Sequence, residues 1–111
     1  MALIDVETGI MYCGDDEDIY RDILEMYIEL AEESREVLAN ALAEDRMSDY
    51  VLRVHAVKSN SRNVGAMTVG DLAEKAEKAA RAGDRELVLE YHSDLLEMLE
   101  EAEKEAAGLL E

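Results

Sequence analysis

Residues 55–66 read HAVKSNSRNVGA and set a histidine and a lysine three positions apart. On a helix, with about 100° and 1.5 Å per residue, His55 and Lys58 lie on one side, a turn apart. A neutral imidazole is a competent nucleophile near pH 7, and histidine is among the side chains that form covalent intermediates. If the ring attacks phosphorus, the product carries a negative phosphoryl group. Lys58 can hold that group electrostatically, and Arg62 can do so from farther off. Ser59 is small and leaves room for another protein, while Val51 and Leu52 offer a partner an apolar footing. Spacing alone does not separate this reading from an ordinary surface pair.

Other chemistries lack their residues. A carboxylate-bundle metal site wants a glutamate three positions before each histidine. Leu52 and Leu89 stand there, before His55 and His92, so no metal site is expected. His92, in EYHSDLL, reads as a helix-surface or core-flanking residue. There is no glycine-rich phosphate loop and no G-x-S-x-G. Nothing joins Cys13 to His55 as a nucleophile pair, and Cys13 reads as a small apolar residue near the first helix.

The elements that position His55 follow from apolar periodicity. Tyr50, Val54, Val57, Ser61 and Val64 cluster about 130° from the histidine and form the core face. Within about 60° of it lie Ser48, Val51, Leu52, Lys58, Ser59 and Arg62. His55 is therefore expected to face solvent in mid-helix, in a small cationic patch without acids. Asp49, the nearest carboxylate in sequence, is about 120° and more than one turn away. Ser48 is a candidate cap for this helix, and Gly65 ends it or marks a close contact.

Three further amphipathic segments surround it. After a lead-in over residues 1–14, with a helical turn around Asp5 to Tyr12, Asp15 and Asp16 can cap a stripe running from Ile19 to Leu42. That stripe is one long helix, or two with a bend near Glu32 to Ser34. The segment after Gly65 opens with Thr68 and Asp71 in the spacing of a capping box. Its face, Leu72, Ala73, Ala76, Ala79 and Ala80, is nearly all alanine and lets a neighbour approach closely. Gly83 ends it, and Asp84 caps a last stripe from Val88 to Ala106. Short connections make successive helices antiparallel neighbours, so the expected fold is all-α: an antiparallel up-down four-helix bundle over residues 15–111, with the short helical lead-in packed on it. A long two-stranded coiled coil competes, but Gly65, Gly70 and Gly83 interrupt it.

Bulk composition agrees. The 111 residues allow one domain; proline, phenylalanine and tryptophan are absent. The net charge of −17, from 28 acidic and 11 basic residues, disfavours nucleic acid and anionic membrane as partners. It suits a partner with a basic patch, or serves solubility alone. A single cysteine cannot form an internal disulfide and fits a reducing compartment. MALIDVETGIMYC lacks the basic region and apolar run of a signal peptide, and no window approaches the roughly 18 apolar residues of a membrane span. A cytoplasmic monomer is expected.

The same stretch resembles the signature of histidine-containing phosphotransfer (HPt) domains: His55, apolar Val57, Lys58, the small Ser59, Asn60 and Ser61, then Val64, Gly65 and Ala66. DLAEKAEKAARAGD resembles the helix and glycine turn that follow, and the likeness spans roughly residues 15–108. It implies a phosphorelay carrier in two-component signal transduction rather than a stand-alone enzyme. His55 would accept a phosphoryl group from the aspartyl phosphate of a response-regulator receiver domain and pass it to another receiver. Lys58 would stabilise the phosphohistidine. The chain itself would need no cofactor, with Mg²⁺ supplied by the receiver. The chain has no room for an ATP-binding kinase module, so the domain would be charged by another protein or belong to a sensor or hybrid histidine kinase. Ser59 stands where many members have glycine, and Val57 replaces a common leucine, which bears on receiver choice. The alternative is a helical interaction module of the same fold that has lost phosphotransfer.

Overall fold

The computed structural model describes residues 2–111, so Met1 of the 1–14 lead-in lies outside the described residues. Five helices follow in order: α1 (Val6–Tyr12), α2 (Glu17–Ala43), α3 (Met47–Asn63), α4 (Met67–Arg81) and α5 (Arg85–Leu109). Among the described residues there is no strand, and no helix is long and apolar enough to cross a membrane.

The stripe from Ile19 to Leu42 is one unbroken helix, α2. The Asp16 carboxylate accepts from the backbone N–H groups of Asp18 and Ile19 and satisfies two donors that a helix start leaves free. Asp84 caps α5 in the same way, accepting from Leu87 N–H. The other two expected caps are not made. α3 begins one residue before Ser48 and α4 one residue before Thr68, with no side-chain cap at either end. Asp71 instead accepts from Arg62. A polar residue near a helix start is a cap only if the chain enters at that residue, and the tight turns through Asp45 and Gly65 set the entry earlier.

α2 packs on α3 and α5, and α4 packs on α3 and α5, so the four long helices close a ring around one core. Tyr50, Leu24, Leu38, Leu95, Leu99, Val54 and Val88 are among its fully buried side chains. Polar core groups find partners, as buried groups must. The Tyr27 and Ser61 hydroxyls lie 2.9 Å apart, and Tyr20 donates to the Val64 carbonyl at 2.7 Å. Burial pushes the Tyr27 phenol up to about 12, against the lowering effect of its bond to Ser61.

The lead-in closes one end. Leu3 and Ile4 N–H donate to the Glu105 carboxylate of α5, and Asp5 N–H donates to Gly65 O at 3.0 Å. Gly65 sits at φ +93°, and a Cβ there would lie 2.1 Å from Asp5 O. It therefore both ends α3 and admits the lead-in backbone.

The alanine face of α4 has the expected consequence. Ala73, Ala76 and Ala80 are buried, and α3 with α4 is the most extensive helix contact in the molecule. Without side-chain atoms beyond Cβ on this face, the two axes approach closely. That approach carries a side chain of α4 up to His55.

Candidate functional site

His55 stands in the middle of α3 with 53% of its side chain exposed, on the face opposite buried Tyr50, Val54, Val57 and Ser61. The expectation of a patch without acids is overturned. Glu77, from α4, lies against the ring with its Oε2 2.9 Å from His55 Nδ1. A helical wheel of α3 reports only the neighbours α3 itself supplies, and Glu77 arrives through the α3–α4 packing.

Glu77 is 6% exposed at its side chain, and three groups hold it. His55 Nδ1 and the Arg81 guanidinium, through Nε at 3.0 Å and Nη2 at 2.8 Å, converge on Oε2. Lys58 Nζ sits 2.8 Å from Oε1, an oxygen that no hydrogen bond of good angle reaches. Burial opposes the carboxylate charge. The Lys58 ammonium and the hydrogen bonds from Arg81 and His55 outweigh it and lower the Glu77 carboxyl to about 2. The group is thus ionised and can only accept. An Nδ1 at 2.9 Å from it carries the proton, which fixes the neutral ring as the Nδ1–H tautomer. Nε2 keeps its lone pair and takes no protein hydrogen bond among the described residues.

Charge at the site runs against the charge of the chain. One carboxylate faces two cations, Lys58 and Arg81. The cluster therefore carries one positive unit within a protein of net charge −17. A dianionic group seated on Nε2 meets a favourable local field. Lys58 is positioned for it: one turn from His55, 18% exposed, and tethered by Glu77 next to the ring. An ammonium has three donors, and Glu77 engages one side of it.

The remaining sequence-selected residues surround this cluster. Leu52 is 71% exposed, Ser59 is exposed and Val51 half-buried. Val51 and Leu52, with Met47, Ala80 and Arg81, line an apolar groove of about 630 Å³ between α3 and α4, beside His55. Arg62 is turned away from the ring, paired with Asp71 at 3.0 Å and Glu74 at 3.3 Å on α4. Arg81, cationic and largely exposed, is the second cation of the cluster. Sequence reasoning missed Glu77 and Arg81, yet a signal was present. Glu77 occupies a core-facing register between Ala73, Ala76 and Ala80, where a charge has no reason to sit unless it is paired.

His92 is distinct. Its Nδ1 lies 3.0 Å from the Tyr50 hydroxyl, the ring is partly buried on α5, and desolvation lowers its pKa. It flanks the core. Cys13 is a free thiol at the C-cap of α1. Among the described residues no three His, Cys, Asp or Glu side chains gather as a metal site.

Comparison with known proteins meets this geometry. The family model described as Hpt domain matches residues 22–105. Among solved structures, the HPT domain from the Hpt sensor hybrid histidine kinase from Shewanella superposes with a TM-score of 0.90 at 17% sequence identity. The match covers 97% of this chain and 93% of that one. No curated protein matches.

Proposed function

This chain belongs to the Hpt domain family, a family of phosphocarrier modules in two-component phosphorelays, and we propose that His55 Nε2 is its phosphoacceptor. The carrying observation is the ring itself. It is half exposed on a rigid helix, with Nδ1 protonated against Glu77 and Nε2 free beside a cationic cluster. In this reading the four long helices form the family's antiparallel up-down bundle over residues 15–111. The contacts Tyr27–Ser61 and Ser34–Arg53 between α2 and α3, and Glu77–His55 and Asp71–Arg62 between α3 and α4, run in the opposed registers that such a bundle needs.

The donor is the aspartyl phosphate of a receiver domain. Nε2 attacks phosphorus in line as the bond to the aspartyl oxygen breaks and its electron pair returns to the carboxylate. Mg²⁺ belongs to the receiver, which supplies that catalytic charge. The chain contributes the nucleophile, its orientation and the cationic field. Transfer to a second receiver reverses the step. A sensor or hybrid histidine kinase charges the first receiver, and the single free cysteine suits the cytoplasm, where that exchange would take place.

Lys58→Ala should slow transfer about 10- to 100-fold, the equivalent of one charge-assisted hydrogen bond of roughly 1.5–3 kcal/mol, with the helical circular dichroism unchanged. Equal rates would make Lys58 only the partner of Glu77. The docking surface combines the groove beside the ring, lined by Val51 and Leu52, with exposed Ser59 and with Arg62 farther along α3. Leu52→Asp should cut receiver-dependent charging about tenfold or more but leave charging by a small phosphodonor intact. If both fall together, Leu52 acts on the fold and not on docking.

The test of the carrier reading is direct. A receiver charged on its aspartate is mixed with the protein and the product weighed intact. One acid-labile phosphoryl group is expected; none across a panel of receivers would leave a helical interaction module without phosphotransfer.

A further inference from the structure

α3 and α5 stand diagonally across the bundle. α2 and α4 each pack on both of them, and the two do not pack on each other. One pair of side chains nevertheless joins them. Tyr50 of α3 is fully buried, and its side chain crosses the core so that the hydroxyl lies 3.0 Å from Nδ1 of His92 on α5. Among the described residues this is the one side-chain hydrogen bond between α3 and α5. The ring centroids are 5.7 Å apart, with the planes tilted by 48°. We propose that Tyr50 and His92 form an acid-sensitive latch across the core: the neutral imidazole ties α5 to the helix that carries His55, and protonation of the imidazole breaks the tie. The latch does not depend on the role of His55.

The proton inventory of the pair carries the argument. A phenol has one proton to donate. Burial pushes the Tyr50 phenol up to about 12, so the hydroxyl keeps that proton at any pH near neutrality. A buried donor needs an acceptor, and Nδ1 of His92 is the one within reach. An acceptor nitrogen carries no proton, so the neutral ring is the Nε2–H tautomer. When the imidazole takes up a second proton, Nδ1 becomes a donor and two hydrogens point into one gap. The phenol oxygen can turn to accept, but its own proton is then left in the core without a partner, at the cost of an unsatisfied buried donor.

The charges of the packed helices do not offset that cost. α3 brings the phenol, and Asp49 beside it in sequence is taken by Arg46. α2 reaches α5 with Arg21 and Arg35, bound to the Leu110 carbonyl and to Glu103. α4 borders α5 along a groove where Asp71 and Lys75 stand with Asp94, Glu97 and Glu101. On α5 itself Arg85 is bound to Asp45 and to the Leu42 carbonyl, and Glu90 is exposed. Among the described residues no carboxylate pairs with the His92 ring, and desolvation lowers its pKa. In the unfolded chain the ring binds a proton at its ordinary value, about 6.5; in the folded protein it does so only at lower pH. Stability is therefore full above that ordinary value and is lost as pH falls through it toward the folded one. Ordinary carboxylates titrate near 4, so the latch opens before they protonate.

Two measurements test the latch. Nitrogen NMR of the imidazoles, with His55→Gln identifying which signal is His92, should show Nδ1 bare at about pH 7.5 and a titration below about 6.5. Nδ1 protonated there, or a titration at or above that value, would overturn the proposal. Melting curves read the tie itself. Between about pH 7.5 and pH 5.5 the unmodified protein should lose roughly 3–6 °C more than His92→Asn, whose side-chain oxygen accepts from the phenol at any pH. Equal losses in the two proteins would overturn the latch. Should the Asn variant not fold, the NMR titration decides alone.

Discussion

His55→Gln is expected to abolish phosphoryl uptake and to leave the bundle folded. The chemical half is absolute, because an amide nitrogen is not a nucleophile and no other group in the cluster can accept the phosphoryl. The structural half follows from what His55 touches. The ring is half exposed and its one hydrogen bond runs to Glu77. Removing it leaves that carboxylate still paired with Lys58 and Arg81, so no buried charge is orphaned. The expected stability change is under about 1 kcal/mol. Intact mass after incubation with a charged receiver reads the first half, and helical circular dichroism with a melting curve reads the second. The chain has one other histidine, His92. An acid-labile phosphoryl group surviving in the variant would transfer the role to that residue, whose ring is partly buried and bonded to Tyr50.

Gly65→Ala should be the most damaging single-atom change in the chain. Two costs add. A left-handed backbone at φ +93° is poorly tolerated by a residue with a Cβ, and the new methyl would lie 2.1 Å from the Asp5 carbonyl oxygen. That oxygen belongs to backbone held by the Asp5–Gly65 hydrogen bond and by Glu105, so it cannot move aside cheaply. A loss of about 3 kcal/mol is expected, or roughly 10–20 °C in melting temperature for a domain of this size. Gly83→Ala is the control. Its φ is +71°, but nothing lies within 4 Å of the added Cβ, so it bears the left-handed cost alone, about 1 kcal/mol. Equal melting temperatures for the two variants would show that the lead-in yields to the methyl. The Gly65 variant, cooled until folded, should still accept a phosphoryl group, since His55 lies ten residues away on α3.

Much of this was legible in one dimension. Period-3.6 apolar stripes, with glycine and aspartate punctuation, determined the helices: α2 from its Asp16 cap, α3 to its stop at Gly65, α5 from Asp84. The same periodicity placed His55 on the solvent side of α3, because the direction of a side chain on a helix depends only on its position relative to the core stripe. The close approach of α4 was readable too, from the alanines that make it possible. The caps expected at Ser48 and Thr68 were misplaced by two residues, with Arg46 and Ala66 standing at the N-caps, since a capping side chain competes with the geometry of the turn before it. What only the tertiary structure decided is the electrostatics of the site. Glu77 and His55 are 22 residues apart, and Arg62 faces Asp71 and Glu74, not the ring. Coulomb and hydrogen-bond energies depend on separations of a few ångströms between side chains of different helices. Periodicity along one helix assigns a residue to a face but does not say which residue of the neighbouring helix is level with it. The exposed histidine was therefore visible in the sequence, while the carboxylate bonded to its ring became visible only when α3 and α4 were packed in register.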